Sequence, residues 1–288
     1  MAERTIENDC LRVTVNDAGA ELTSAYDKSR RAERIWWGDP AVWNRHAPIL
    51  FPFVGKVVNG RYRVDGREYA MTTQHGFARD MDFVCAEETA TAVKHVLTAT
   101  DRTRAVYPYD FRLTVNHRLE GSALFVEWTV ENIGSDAMFF SIGGHPGFMP
   151  PDGICKEDCS IVFPGQERLR YISANKAGYA VSERKTLILR DGRAPYQPDI
   201  PDTWIFEDNQ VKAVGIAAPG ERPFVMLRCE RFPMLAVWAN PNGPFICLEP
   251  WFGRTDDDGF TGNIDRKKAI QRLDGGEGKE IAYSIEFC

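Results

Sequence analysis

The chain has 288 residues, of which 43% are hydrophobic and 11% are aromatic, enough to bury a sizeable core and to exclude general disorder. Its 35 Lys and Arg residues against 41 Asp and Glu residues give a net charge of −6. With no basic stripe, this balance argues against nucleic acid as the main partner.

The N-terminal segment MAERTIENDC lacks the apolar core of a signal peptide, and no segment has the length and hydrophobicity of a membrane span. The seven cysteines have no framework spacing, which favours reduced thiols in the cytoplasm over a disulfide scaffold. Cys155 and Cys159 form the one close pair, and without a second ligand pair they do not predict a metal site. We therefore expect a cytoplasmic protein without a membrane partner.

Alternating strand patterns recur along the chain, and helical periodicity is scarce. GRYRVDGREYAM contains Asp65-Gly66, a pair typical of a tight hairpin turn. FRLTVNHRL and ALFVEWTVEN alternate on either side of EGS, which predicts a second hairpin, buried on one face. The same signature returns at the end, in AIQRLDGGEGKEIAYSIEF. These patterns predict one all-β domain over residues 1–288, most simply two stacked antiparallel sheets.

The five histidines differ in their local sequence. His95 and His117 lie on the apolar face of alternating segments, which favours a structural role. His46 leads into an apolar run, and its role stays open. His75, in QHGFARD, and His145, in SIGGHPGF, lie beside glycines instead, so these two are the candidates for chemistry.

The surroundings of His145 are unusual for a strand end. Gly143 and Gly144 precede it and Pro146 follows. Glycines permit close backbone approach and unusual backbone angles, and proline fixes the chain just beyond. The pattern indicates a rigid support for a side chain that projects into a cleft; the alternative is a turn that happens to contain histidine.

Glu249, in FICLEPWFG, follows an apolar run. Desolvation there would raise its basicity, as a general base at neutral pH requires, and the alternative is a buried glutamate neutralised by an arginine. Trp251 and Phe252 offer flat apolar surface suited to the C–H face of a sugar ring. Serine-nucleophile, phosphate-loop, dinucleotide and zinc-protease motifs are absent. The residues therefore favour a metal-free acid–base pair of His145 and Glu249 in an aromatic-walled cleft.

The motifs FP-x-x-G, QHGFAR, GGHP and EPW occur in this order. From about Ile6 to the C-terminus, the chain resembles the aldose 1-epimerase family, the galactose mutarotase-like proteins, and looks closest to a short bacterial branch. The resemblance implies a β-supersandwich of large antiparallel sheets and cofactor-free interconversion of the α and β anomers of an aldose. It also implies that His145 is the general acid that protonates the ring oxygen, and that Glu249 is the base that deprotonates the anomeric hydroxyl.

The resemblance further implies substrate contacts. His75 matches the family's second histidine, which helps to hold the substrate near the ring oxygen, and Arg79 can donate to hydroxyls or to a phosphate. Lys56 stands where most relatives carry arginine, so it keeps the charge but loses the bidentate fork. Asp202, in PDTWIF, aligns loosely with an aspartate that binds sugar hydroxyls. Asp80 would orient Arg79 or close the turn.

Several functions stay open beside aldose 1-epimerase. A hexose-6-phosphate 1-epimerase would use the same chemistry and a cationic pocket, for which Lys56 and Arg79 are candidates. A non-catalytic sugar-binding β-sandwich would need no acid–base pair. A lyase or glycosidase would usually need longer loops and, for hydrolysis, two carboxylates. The NHxYxN segment of galactose mutarotases is absent, so galactose is not implied. We expect a monosaccharide or sugar phosphate as the small-molecule partner, no cofactor, and a monomer or weak homodimer.

Overall fold

The computed structural model describes residues 2–288, and it is built almost entirely of β-strands, as predicted. The N-terminal half supplies β1 (Glu3–Glu7), β2 (Leu11–Asn16), β3 (Glu21–Asp27), β4 (Ala32–Glu33), β5 (Ile49–Leu50), β6 (Arg61–Val64), β7 (Arg67–Ala70), β8 (Val84–Glu88), β9 (Ala92–Thr98), β10 (Phe111–Glu120), β11 (Ala123–Asn132) and β12 (Met138–Phe140). The C-terminal half supplies β13 (Ile142–Gly144), β14 (Gly147–Phe148), β15 (Ser160–Val162), β16 (Arg168–Tyr171), β17 (Lys185–Ile188), β18 (Arg193–Pro195), β19 (Trp204–Phe206), β20 (Ala213–Ala217), β21 (Pro223–Arg228), β22 (Met234–Trp238), β23 (Ile246–Phe252), β24 (Gln271–Leu273) and β25 (Gly278–Phe287).

Helical structure is limited to short segments. The α-helix α1 (Asp101–Arg104) begins at a Thr100 capping box, and the 3-10 turns are Val58–Gly60, Ala78–Asp80, Lys156–Asp158, Ile200–Asp202 and Ile264–Arg266. Within residues 2–288 we find no helix with the length and apolar character needed to traverse a lipid bilayer.

Two large antiparallel sheets form the body of the molecule. The nine-stranded sheet has the order β18-β15-β20-β21-β25-β11-β10-β9-β8, and the six-stranded sheet has the order β19-β22-β23-β13-β5 with β14 also paired to β23. A four-stranded sheet, β1-β2-β3-β4, and smaller strand pairs complete the fold. The prediction of an all-β protein with large antiparallel sheets is confirmed.

The two large sheets pack face to face through aromatic residues. Trp128 of β11 lies 6.2 Å from Phe232, and Phe232 lies 4.8 Å from Phe252 of β23, measured between ring centroids. All three are buried in one continuous hydrophobic core. Sheet-on-sheet packing of this kind buries the inward-facing half of each alternating strand.

Two predicted hairpins are confirmed and the third is wrong. β10 pairs with β11 along its whole length, with Val115 opposite Trp128. β6 pairs with β7 around Asp65 and Gly66, whose φ angles are 48° and 79°. At the C-terminus, however, β24 pairs with β12, whereas β25 pairs with β11 and β21. Alternation identified both of these strands correctly, but it does not specify which partner a strand will find.

Candidate active site

Glu249 lies in the middle of β23, the central strand of the six-stranded sheet. β23 is buried on both faces, which explains why its sequence is an almost continuous apolar run. Alternation places Glu249 and Trp251 on one face, and both line a cavity of about 440 Å³. A strand buried in this way holds its carboxyl group in a fixed place.

His145 lies in the short break between β13 and β14, which both pair with β23. Gly143 pairs with Trp251, and β14 continues in the same register. This register places His145 directly opposite Glu249, the position at which side chains of antiparallel strands meet. The distance between His145 Nε2 and Glu249 Oε2 is 3.3 Å, so the two residues predicted as acid and base are in contact.

The glycines before His145 act through close packing. A Cβ on Gly143 would lie 2.5 Å from Cδ1 of Trp251, and one on Gly144 would lie 2.6 Å from the Tyr283 hydroxyl. The expectation of close approach is therefore confirmed. The expectation of unusual angles is wrong, because neither glycine has a positive φ. Both belong to the extended strand β13, which pairs with β23 and β5.

His75 reaches the same cavity from a strained loop position. Its φ of 67° is in the left-handed region, which is uncommon for a residue with a side chain. Two hydrogen bonds to Gly55 hold it: the His75 N–H donates to the Gly55 carbonyl at 2.7 Å, and the Gly55 N–H donates to Nδ1 at 3.0 Å. The rings of His75 and His145 lie 5.5 Å apart, nearly perpendicular.

The bond from Gly55 fixes the tautomer of His75. Because Nδ1 accepts a hydrogen bond, the neutral ring carries its hydrogen on Nε2. Gln74 lies 2.8 Å from this Nε2, so its amide must present the oxygen, and not the nitrogen, to satisfy the contact. His75 is thus prepared as a hydrogen-bond donor at the cavity surface.

Burial controls the protonation of the central residues. It raises the pKa of Glu249 well above its usual range, and the nearby Trp251 indole N–H offsets only part of that rise. Burial also lowers the pKa of His145 to about 3. The pKa of His75 is well below its usual value because of burial and the neighbouring His145. A protonated carboxyl beside two neutral imidazoles is therefore the resting state.

The alternative of a glutamate neutralised by arginine is wrong. Among residues 2–288, no arginine pairs with Glu249; its close titratable neighbour is His145, and Oε2 has no regular hydrogen bond. A buried polar atom without a partner is costly, so an unpaired oxygen facing the cavity is a feature expected of a site that receives a ligand.

Tryptophan side chains surround the acid–base pair. The His145 ring lies 5.0 Å from the Trp43 ring and 5.5 Å from the Trp238 ring, between centroids. Both tryptophans line the cavity together with Trp251. The aromatic wall predicted from Trp251 and Phe252 is confirmed for Trp251 and wrong for Phe252, which packs against Phe232 in the core. The tryptophan rings provide a low-dielectric lining around the pair.

Two arginines line another part of the cavity, Arg45 and Arg79. Arg45 Nη1 donates a hydrogen bond to the Arg79 carbonyl oxygen at 3.1 Å, and the Arg45 guanidinium also forms an ion pair with Asp80. The Arg79 Nε is buried without a hydrogen-bond partner and lies 3.8 Å from Asp80. Asp80 thus mainly holds Arg45, and Arg79 keeps donor capacity for a ligand.

The family model for aldose 1-epimerase matches residues 3–244 of this chain. The chain belongs to the aldose 1-epimerase family. The predicted family is therefore confirmed.

Relatives of this aldose 1-epimerase family member share both sequence and fold. The protein LacX of Lactococcus lactis subsp. lactis is 29% identical over 260 residues, which cover 86% of this chain and 87% of that protein. A galactose mutarotase related enzyme from Lactobacillus acidophilus has a TM-score of 0.93 at 29% identity, over 100% of this chain and 97% of that one. A galactose mutarotase-like protein from Lactobacillus casei ATCC 334 has a TM-score of 0.92 at 30% identity, over 100% of both chains. The galactose mutarotase-like fold is confirmed.

Two predicted substrate contacts do not line the cavity of this family member. The Lys56 ammonium donates to the Ala177 carbonyl at 2.9 Å, and Lys56 lines a smaller neighbouring cavity. Asp202 ends a 3-10 turn, and its carbonyl accepts from Ala174 N at 2.9 Å. The next residue, Thr203, is the one that reaches the cavity.

Sequence reasoning missed several lining residues. Gln74 had a signal, because it belongs to the QHGFAR motif. The others come from segments that are far apart in sequence and meet only in the fold, and no spacing pointed to them. The missed residues are Trp43, Asn44, Arg45, Gln74, Thr203, Trp238, Asn240 and Thr255.

The remaining histidines lie outside the cavity. His95 is fully buried, with its Nε2 3.1 Å from Asp17, and the structural role predicted for it is confirmed. His117 is also buried, as predicted, although its Nδ1 has no partner. His46, whose role the sequence left open, has its Nδ1 3.7 Å from Glu21.

Proposed function

We propose that this protein is an aldose 1-epimerase that interconverts the α and β anomers of a sugar by acid–base ring opening and closure. The observation that carries the proposal is the 3.3 Å contact between His145 Nε2 and Glu249 Oε2 inside the cavity. The ring oxygen and the anomeric hydroxyl of an aldose are bonded to the same carbon. A proton donor and a proton acceptor for these two atoms must therefore lie side by side, as this pair does.

The reaction needs one proton that His145 and Glu249 share. At rest, burial keeps it on Glu249; its transfer to His145 gives an imidazolium beside a carboxylate. His145 then protonates the ring oxygen while Glu249 removes the proton of the anomeric hydroxyl, and the C1–O5 bond opens to the aldehyde. The aldehyde end rotates, and the ring closes on its other face with both transfers reversed. General acid–base catalysis of this kind contributes about 10²–10⁴-fold to a rate.

Other cavity residues have binding roles in this proposal. His75 donates from Nε2 to the sugar beside the ring oxygen when the sugar displaces the Gln74 amide, since its tautomer is fixed by Gly55. Arg79 donates to hydroxyls, and the tryptophans, Trp251 among them, pack on the apolar face of the ring. Lys56 and Asp202, which the family resemblance also implicates, would act from outside the cavity lining.

The lining disfavours glycoside hydrolysis. Among residues 2–288, Glu249 is the one carboxylate that lines the cavity. Hydrolysis in most glycosidase families uses two carboxyl groups, about 5–9.5 Å apart, on either side of the bond. An imidazole in contact with a single carboxyl is better suited to proton transfer at two oxygen atoms that are bonded to one carbon.

The test is anomer exchange measured by saturation-transfer NMR on glucose, galactose and their 6-phosphates. Wild type should accelerate exchange, and Glu249→Gln should lose at least about 100-fold of that acceleration while keeping its fold. His117→Leu, a change at a buried histidine outside the cavity, is the matched control and should keep the rate. Unchanged exchange in Glu249→Gln would refute the assignment, and sugar binding without any acceleration by wild type would favour a binding protein.

A phosphorylated hexose is the second candidate substrate, and the pair of cavity arginines favours it. Arg45 and Arg79 both line the cavity; Asp80 pairs with Arg45, while the buried Nε of Arg79 has no hydrogen-bond partner. Guanidinium groups bind phosphate through paired, charge-assisted hydrogen bonds. Arg45 takes the place that we expected Lys56 to fill.

Substitution of each arginine separates the two substrates. Arg79→Ala and Arg45→Ala should raise KM for glucose 6-phosphate by more than they raise KM for glucose. Arg63→Ala, at an exposed position outside this cavity, is the control and should change neither. A wild-type preference for the unphosphorylated sugar would exclude the phosphorylated substrate.

A further inference from the structure

Cys247 places a thiol beside the acid–base pair. Cys247 and Glu249 are two residues apart on β23, so their side chains share a face of the strand. One ligand atom from each of His145, Cys247 and Glu249 lies within 4.8 Å of the other two, and all three residues are buried. The proton-transfer reaction proposed above leaves Cys247 without a role.

We propose that His145, Cys247 and Glu249 form a binding site for a soft divalent cation, with Zn²⁺ as the representative, and that the bound cation reversibly inhibits the enzyme. Thiolate, imidazole and carboxylate are the protein ligands that zinc takes. Three protein ligands and one free position are also the arrangement of open zinc sites. Here the free position faces the sugar cavity, because His145 and Glu249 line it.

The spacing of the donors requires only a local adjustment. Bond lengths of about 2.0–2.3 Å put neighbouring ligand atoms of tetrahedral zinc roughly 3.5 Å apart. The His145–Glu249 contact of 3.3 Å already matches this spacing, and the remaining distances, which are within 4.8 Å, need to close by up to about 1.3 Å. Side-chain rotation of Cys247 can supply that change without moving β23.

A second observation is a buried oxygen atom of this cluster without a partner in the protein. Glu249 is 1% exposed, and its Oε2 has no regular hydrogen bond within the protein. A buried carboxyl oxygen normally has a hydrogen-bond partner, or a metal ion once the group is deprotonated. A cation would satisfy this oxygen, and the apolar neighbours Trp36 and Phe245 of Cys247 would shield the sulfur from water.

Cation binding and catalysis exclude each other in this arrangement. Binding displaces the thiol proton of Cys247 and the carboxyl proton of Glu249 to solvent, and occupies the imidazole nitrogen of His145. Neither proton transfer to the sugar can then occur, so inhibition should be competitive with the sugar. Because binding releases these two protons, affinity for the cation should increase with pH.

The experiment uses Co²⁺ as a spectroscopic probe and Zn²⁺ as the inhibitor. Because Cys155 and Cys288 are exposed, all proteins carry Cys155→Ser and Cys288→Ser to remove surface thiols. Co²⁺ should give a thiolate charge-transfer band that Cys247→Ala abolishes and Cys229→Ala retains, since Cys229 is an equally buried thiol outside the site. Identical bands with and without Cys247 would overturn the proposal. Should Cys247→Ala fail to fold, Cys247→Ser keeps the size and also removes the thiolate.

Inhibition is measured on the same proteins by anomer exchange. Zn²⁺ should competitively inhibit the parent protein that carries Cys155→Ser and Cys288→Ser. Adding Cys247→Ala should weaken this inhibition about 10-fold or more, because loss of even a residue that only supports a metal ligand lowers metal affinity by about this factor. Equal inhibition of both proteins would contradict the site. This arm alone rests on the proposed epimerase activity: a Cys247-dependent cobalt band in a protein that accelerates no anomer exchange would refute the epimerase and leave the cation site standing.

Discussion

His145 and Glu249 face each other across one antiparallel register, with Nε2 and Oε2 3.3 Å apart. Two strand segments on either side of His145 pair with the same strand, so the histidine cannot shift along β23 without breaking pairs on both sides. The position of the acid–base pair is therefore determined by backbone pairing and not by a flexible loop. Sites built on strands are held more accurately than sites on loops.

Glu249→Gln should stabilise the protein increasingly as the pH rises. Burial raises the pKa of Glu249 in the folded state, so the fold retains a proton that the unfolded chain releases above about pH 4.3. Wild-type stability therefore falls with pH through this window, by at most about 1.4 kcal/mol per pH unit. Glutamine does not titrate and escapes this loss.

Urea unfolding of both proteins between about pH 4 and about pH 8 checks this expectation. Glu120→Gln, at an exposed glutamate, is the control and should follow the wild type. A difference between Glu249→Gln and wild type that stays constant over the whole range would contradict the raised pKa.

His117→Leu should protect the protein from acid. Burial lowers the pKa of His117 to about 3, whereas the unfolded chain takes up this proton below about pH 6.5. The unfolded state binds more protons in this window, so wild-type stability falls as the pH falls from about 6.5 toward about 3, by at most about 1.4 kcal/mol per pH unit. Denaturant midpoints at several pH values measure the effect. Parallel curves for the two proteins would show that His117 titrates normally.

Gly76→Ala should be much more damaging than Gly66→Ala. Both glycines have positive φ angles, 71° and 79°, so both alanines incur a backbone cost of about 1–2 kcal/mol. A Cβ at position 76 would also lie 2.3 Å from the Phe51 carbonyl oxygen, whereas nothing lies within 4 Å at position 66. We expect an additional loss of about 1–3 kcal/mol at position 76.

The same pair of variants reports on function. Gly76 follows His75, so a backbone shift there should raise KM, while Gly66→Ala should keep wild-type kinetics. Thermal unfolding and saturation-transfer NMR on the two variants provide the comparison. Equal stability losses at both positions would mean that the contact with Phe51 relaxes freely.

Glu207→Ala should destabilise the protein by about 3 kcal/mol, the lower end of the range for breaking a buried ion pair. Glu207 and Arg254 are both buried, with Oε1 and Nε 3.0 Å apart, and Asp257 continues to pair with Arg254 after the substitution. Arg228→Ala, which breaks the exposed pair with Glu286, should cost less than about 1 kcal/mol. Guanidinium chloride unfolding compares them, and a similar loss in both would show that the buried pair contributes no more than the exposed one.

Much of the fold followed from local patterns. The β10–β11 pairing was evident because ten-residue alternating segments flank a short turn, and alternation depends only on the side-chain period of a strand. The partners of β24 and β25 were not evident. Strand pairing across the chain depends on which distant surfaces can be buried together, and a local pattern carries no information about that.

The site divides in the same way. The sequence indicated His145 by the glycines and proline around it, and Glu249 by the apolar run that precedes it. Both signals exist because a buried or rigid position also restricts the residue types of its neighbours. Lys56 was expected at the cavity, but its ammonium bonds to the Ala177 carbonyl. Arg45 lines the cavity instead, and nothing in its neighbouring residues indicates where its side chain will point.

The sequence by itself determined the all-β class and the family, and it marked His145 and Glu249 as the candidate acid–base pair, since each of these depends on composition, alternation or motifs that are contiguous in the chain. Only the tertiary structure decided that His145 stands opposite Glu249 and that Arg45, Trp43 and Trp238 complete the cavity. These contacts join strands and loops that are remote in sequence. They are fixed by strand register and by packing of the two large sheets, which arise only when the whole chain is folded.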